Sequence, residues 1–263
     1  TIAARAIDYI ESQSKKKQPF FLCLWHYTVH YPIQAPNHLL RKQSGDQKPT
    51  PQQHYQAMVE GMDLAVGRVL QSLDTTGIAK NTLVVFTSDN GNLAGYSSAK
   101  PLKHAKGYLS EGGIRVPLII RYPSAVKAGS ESSEPVITMD FAPTFLEAAK
   151  VKYDPKRYDG VSLLPELTGK GSLNRDAIYF HYPHFAFHGD NKMGSVIRAG
   201  DYKYIQYYGG HAPVLYNLRN DIGEQHDLSK QQPAQAKKLQ TKLQAWLKEI
   251  DAQFPRPYAE MPE

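Results

Sequence analysis

A chain of 263 residues, 41% of them hydrophobic and 21% charged, can bury one large core or one core with a small appendage, which excludes a disordered or fibrous protein. Its net charge of +6 suits an anionic ligand, but the basic residues are scattered apart from Lys15 to Lys17, a pattern that excludes a nucleic-acid stripe. No run of about eighteen apolar residues is present to span a membrane, and a single cysteine, Cys23, rules out an intrachain disulfide.

Thr1 opens an amphipathic segment to Gln13 rather than a signal sequence, as expected of a processed chain or a piece of a longer one. Ser14 to Pro19 is a polar connector, and Phe20 to Trp25 is a continuous apolar run predicted to be a strand buried on both faces, with Cys23 as an inert core thiol. That strand delivers His26-Tyr27-Thr28-Val29-His30-Tyr31-Pro32. Ala35 to Gln53, rich in proline and glutamine, reads as a loop framing a cleft. His54 to Leu73 has the apolar spacing of a long helix, and Leu83 to Thr87 that of a second buried strand. Val116 to Arg121 is a third. Thr138 to Ala149 is helical, with Asp140 in a capping position. From Asp176 onward, short aromatic runs (177–182, 195–199, 202–208 and 213–216) broken by Gly-Asp and Gly-Gly predict an antiparallel meander, covered by a helix from Pro233 to Ile250. The fold class is α/β, with a main portion over residues 1–175 and a C-terminal α+β subdomain over 176–263.

The chemistry concentrates after the central strand. Ser88-Asp89-Asn90-Gly91 places a carboxylate and a carboxamide at the end of a buried strand, the ligand-binding edge of an α/β sheet, and both offer hard oxygen donors. Lys106-Gly107 and Glu111-Gly112-Gly113, followed by Arg115 and Pro117, supply a point charge and backbone that can approach a ligand closely. Glu111 and Arg115 are read as an ion pair holding the loop. Asp221, Glu224 and Asp227 lack the ligand order of a calcium loop and are read as a solvated turn.

The order strand, SDNG, KG, EGG-x-R-x-P resembles the second half of the sulfatase family in the alkaline-phosphatase-like superfamily. So do PFFLCLWHYTVHYP, the DG-x-S-L segment at Asp159 and IRAGDYKYI followed by LYNLRNDIGEQHDLS. The resemblance implies an α/β/α sandwich, present here as its C-terminal part, ending in a small antiparallel sheet plus helix. It implies that Asp89 and Asn90 bind a divalent cation, usually calcium, that Lys106 contacts the sulfate, and that His30 acts on the leaving alcohol. It also implies a periplasmic, secreted or lysosomal location. His181, His184 and Arg198, at strand ends of the meander, are candidates for contact with a sulfated glycan rather than a small aryl sulfate.

Two parts of the family pattern are absent from the 263 residues: the Cys- or Ser-x-Pro-x-Arg motif that yields the formylglycine nucleophile, and an early Asp-Asp pair that completes the metal shell. The expected partner is therefore the N-terminal half of the same protein, and this chain alone is expected to be inactive. A phosphatase or phosphonate hydrolase of the same superfamily and a non-catalytic carbohydrate-binding module are the alternatives.

Overall fold

The computed structural model describes residues 1–186 and 189–256, which divide into two compact units. The first comprises residues 1–86, 95–97 and 119–130. Helix α1 (Ile2–Lys16) starts on Thr1, whose hydroxyl accepts the Ala4 N–H, and buries Ala3, Ala6 and Ile10 along one stripe. Helix α2 (Asn37–Ser44) lies within the stretch expected to be a loop. Asn-His-Leu-Leu-Arg-Lys-Gln-Ser contains no helix breaker, Pro36 and Gly45 bound it, and Leu39 is its buried anchor. Helix α3 (Pro51–Thr75) is set by a capping box between Thr50 and Gln53, with proline at its first position. Ile10, Leu73 and Ala79 form the core of this unit, with Phe20, Val69, Leu70 and Val84 packed against it.

Strands β1 (Val84–Thr87) and β2 (Leu118–Arg121) pair as a two-stranded sheet. Neither is buried on both faces as expected: β1 is half-buried throughout and Ile119 of β2 is 63% exposed. Phe20 to Trp25 is not a strand, Phe21 and Trp25 are exposed, and Cys23 is exposed rather than a core thiol. The reason is physical. An apolar run becomes a strand only when other strands satisfy its backbone, and among the described residues β1 and β2 pair with each other alone.

The second unit comprises residues 87–94, 98–118 and 131 onward. It contains short helices α4 (Glu111–Ile114), α5 (Phe141–Ala148) and α6 (Leu164–Leu167), then strands β3 (Ile178–Tyr182), β4 (Gly194–Ala199), β5 (Tyr202–Tyr207) and β6 (Val214–Asn217), and finally helix α7 (Pro233–Glu249). The strands form an antiparallel meander in chain order, with Ile178 opposite Arg198 and Ala199 opposite Tyr202. Alternation gives it two apolar faces. Ile197, Tyr204 and Leu215 meet Leu239, Leu243 and Leu247 of α7, and Trp246 stacks on Tyr179 at 4.8 Å. Val196, Ile205 and Tyr216 face Leu109 and Leu218 on the other side.

The expected meander and its covering helix are thus present. Among the described residues no helix is long and apolar enough to cross a membrane. Because Leu243 is fully buried between α7 and the sheet, Leu243→Ala should lower stability by about 2–5 kcal/mol in equilibrium denaturation. A change under about 1 kcal/mol would show that α7 does not depend on this packing.

Candidate functional site

The SDNG turn leaves β1 and is held by backbone from two later loops. Gly91 N–H donates to the Gly113 carbonyl at 3.0 Å, Lys106 N–H donates to the Asn92 carbonyl at 2.9 Å, and Gly112 N–H donates to the Lys103 carbonyl at 2.9 Å. The approach is so close that a Cβ on Gly91 would lie 1.9 Å from the Gly112 oxygen, and one on Gly112 2.3 Å from the His104 oxygen. Glycine is required at both positions for packing, whatever their backbone angles. Within the turn Asn90 donates to Asp89 Oδ1 at 2.7 Å and Ser88 Oγ donates to the Asn90 carbonyl at 2.9 Å. Asn191, buried on the loop before β4, donates its side-chain amide to the Gly107 carbonyl. Asp89, Asn90 and Lys106 are therefore brought together on one knot of backbone.

Beneath that knot lies a buried cluster of charges. Lys203 on β5 is fully buried, with its ammonium 2.9 Å from Glu111 Oε1 and 2.9 Å from Glu224 Oε1. Glu224 accepts the Glu111 N–H at 2.7 Å, which anchors the first residue of α4. Lys103 donates to the Glu224 carbonyl at 2.9 Å with its ammonium over the Tyr216 ring. Arg115 and Arg198 approach Glu111 Oε2 at 3.6 and 3.8 Å. The Glu111–Arg115 pair expected from the sequence is thus present, as one edge of a larger array. Burial pushes the Glu224 carboxyl above its ordinary range, opposed by Lys203 and the Glu111 N–H. Burial likewise holds the Arg198 guanidinium below its ordinary value, opposed by Glu111.

Glu224 is consequently no part of a solvated turn, contrary to expectation. Its neighbours do hold turns: Asp221 accepts the N–H groups of Gln225 and His226, and Asp227 those of Leu215 and Ser229. Asp140 is a hub more than a cap. Its carboxylate accepts the N–H groups of Ile137 and Val161 and a two-pronged contact from Arg175 at 2.5 and 2.7 Å, which fastens the DG-x-S-L segment.

The remaining predicted residues have individual settings. His30 is exposed in the first unit, and its Nδ1 lies 2.9 Å from the Tyr31 carbonyl. A carbonyl only accepts, so Nδ1 is the donor of this pair and Nε2 takes no part in it. His181 places Nε2 2.7 Å from the Gln253 carbonyl and Nδ1 2.7 Å from Ser195 Oγ, with Tyr208 joining the same chain. Both of its ring nitrogens are thus engaged inside the subdomain. Arg198 faces Glu111 as described, while His184 is exposed, with its ring 4.1 Å from that of Tyr182.

The Sulfatase family model matches residues 1–151, and a second model, N-sulphoglucosamine sulphohydrolase, C-terminal, matches residues 103–253. A sulfatase of Formosa agariphila is 36% identical over 92% of this chain and 48% of its own length. This chain belongs to the sulfatase family.

Further sulfatase relatives agree. The N-acetylglucosamine-6-O-sulfatase of Bacteroides thetaiotaomicron is 35% identical over 76% of this chain and 35% of its own length. The crystal structure of Ps i-CgsB superposes with a TM-score of 0.82 at 30% identity, covering 93% of this chain and 53% of that one. The same protein has been solved with a neocarrahexaose. BT4656, in complex with its substrate D-glucosamine-2-N,6-O-disulfate, gives 0.63 at 32% identity over 76% of this chain and 42% of that one. The chain spans about half, or less, of the length of the curated relatives described.

Sequence reasoning missed Lys203, Glu224, Arg175 and Asn191 as parts of the sulfatase scaffold. Lys203 had a usable signal: a lysine inside the aromatic strand YKYIQY, flanked by residues that must be buried. Replacing it leaves two buried carboxylates without their shared cation, so Lys203→Met should cost about 3–5 kcal/mol at neutral pH. Glu224 already takes up its proton more readily folded than unfolded. Acidification from neutral pH into the ordinary glutamate range neutralises it and should therefore shrink the defect. Denaturation curves across that range check this, and a defect that grows on acidification would contradict it.

Proposed function

We propose that this chain forms the sulfate- and cation-binding part of a sulfuric ester hydrolase acting on a sulfated carbohydrate. The observation that carries the reading is the Lys106–Asn92 backbone bond, which seats the lysine on the same knot as Asp89 and Asn90. A carboxylate and a carboxamide on adjacent residues fit part of the oxygen shell of calcium, which takes about six to eight donors. Among the described residues no group of three or more His, Cys, Asp or Glu side chains could complete it. The reading therefore draws the other donors, and a formylglycine nucleophile, from protein outside these 263 residues.

In this scheme Asp89 and Asn90 would hold the cation, and its charge would offset that of the sulfate oxygens. Lys106 adds a second positive charge to those oxygens, where negative charge builds as the S–O bond to the alcohol breaks. His30 enters through its family motif: with Nδ1–H held on the Tyr31 carbonyl, the doubly protonated ring gives its Nε2 proton to the departing alcohol oxygen and is left in the neutral Nδ1–H form. The carbohydrate preference is supported by relatives whose names or bound ligands are sulfated sugars. We assign sugar contact to the exposed His184, with His181 and Arg198 holding the strand ends and the EGG turn in place. The exposed Phe21, Leu22 and Trp25 suit cover by the rest of the same protein.

In the intact enzyme Lys106→Ala should lower kcat/KM by about 100- to 1,000-fold. A variant within about threefold of the parent would remove Lys106 from the site. Asp89→Ala should weaken calcium binding in a calorimetric titration, and unchanged affinity would place the cation elsewhere. The 263-residue chain alone should not turn over an aryl sulfate, and turnover matching an intact family enzyme would mean that the nucleophile lies within it. His184→Ala should impair a sulfated oligosaccharide more than an aryl sulfate, whereas equal effects would remove it from sugar contact.

A further inference from the structure

The first unit carries a cleft that the sulfate chemistry does not use. It opens on α3 against residues 95–97, has a volume of about 560 Å³, and is walled by Tyr55, Gln56, Val59, Glu60, Asp63 and Tyr96 among others. That volume lies within the range of about 300–1,000 Å³ typical of small-molecule sites. The Tyr55 and Tyr96 rings are half-buried, 6.4 Å apart and inclined by 30°, so they form a wedge rather than a closed stack. Gln52 donates to the Gly95 carbonyl at 3.2 Å, tying the loop that carries Tyr96 to the start of α3. Tyr55 OH lies 3.5 Å from Ser97 Oγ, a second link across the same gap.

The chemistry of the walls selects the ligand. Tyrosine faces offer flat apolar area with hydroxyls at the rim, which matches the C–H face and hydroxyl edge of a pyranose. Gln56 and Asp63 can accept from sugar hydroxyls. Glu60 is already paired with Lys42 and Gln43, so its charge is compensated, and Asp63 leaves one exposed carboxylate on the wall. No lysine or arginine is among the described residues lining the cleft. A sulfate or uronate group there would face the Asp63 carboxylate, while the nearby Lys42 ammonium is already engaged by Glu60, an arrangement that disfavours anionic sugars.

We propose that this cleft is a subsite for an unsulfated, neutral sugar residue of a glycan. Its assignment to a saccharide rests on the functional reading above. The test is calorimetric titration of the 263-residue chain with two neutral oligosaccharides, neoagarohexaose and chitotetraose, and with a sulfated carrageenan hexasaccharide. Circular dichroism serves as the folding control. At least one neutral oligomer should bind, and Tyr96→Ala, a change on a surface loop, should weaken it about tenfold or more. Asp63→Lys should raise affinity for the sulfated hexasaccharide, while Lys106→Ala should leave neutral-sugar binding unchanged. Absence of neutral binding, or a Tyr96→Ala affinity within about twofold of the parent, would overturn the proposal. So would preference for a cationic glucosamine oligomer over chitotetraose, or loss of neutral binding in Lys106→Ala. Failure of the sulfatase reading would appear instead as retained sulfate-ester activity in Lys106→Ala and would leave these neutral titrations as they are.

Discussion

One buried ammonium holds the second unit together at the end that carries the SDNG and EGG loops. Lys203 stands on a central strand of the meander with no exposure, and its two carboxylate neighbours come from segments remote in sequence, the EGG turn and the turn after β6. Taking three charges out of water is costly, and the array offsets that cost by setting each charge beside an opposite one. Here the Glu224 carboxylate also receives the first N–H of α4, and its carbonyl receives Lys103. The array therefore fixes where the EGG turn sits. The EGG turn in turn fixes Gly91 through the Gly113 carbonyl, and Gly91 fixes the end of the Asp89-Asn90 pair.

That chain of constraints explains how the candidate site can be built from loops. Loops are positioned poorly by their own backbone, and a site needs its charges held before the ligand arrives. In this unit glycine makes the loops thin enough to lie on one another, while the buried ion cluster stops them sliding apart. Arg198 fits the same logic. It faces Glu111 from β4, and its charge is desolvated and partly compensated, which suits a strut for the loop.

Much of this was legible in the sequence, for identifiable reasons. The meander and α7 obey strict local periodicities, so their bounds follow from alternation and a 3.6-residue stripe. The SDNG, KG and EGG motifs were legible as a set through their resemblance to the sulfatase family, and the structure brings the backbone of Asp89, Asn90 and Lys106 onto one knot. What was not legible depends on distant partners. Glu224 in a polar run looks like a solvated acid, and only Lys203 shows otherwise. Phe20 to Trp25 has the composition of a core strand, yet composition cannot supply the neighbouring strand that would make it one. Helix α2 was hidden by proline and glutamine on either side, although Lys42 and Gln43 both bond Glu60 on α3.

The central claim is that the buried Lys203 cluster holds the SDNG, KG and EGG loops in register. Amide hydrogen exchange on Lys203→Met tests it most directly, because exchange reports local opening segment by segment. The account predicts that the Gly91, Lys106, Gly112 and Gly113 amides lose protection well beyond the drop that helix α7 and the β4–β5 ladder away from residue 203 share through lowered global stability. Unchanged protection at those four amides, or a loss there no larger than in α7, would contradict it.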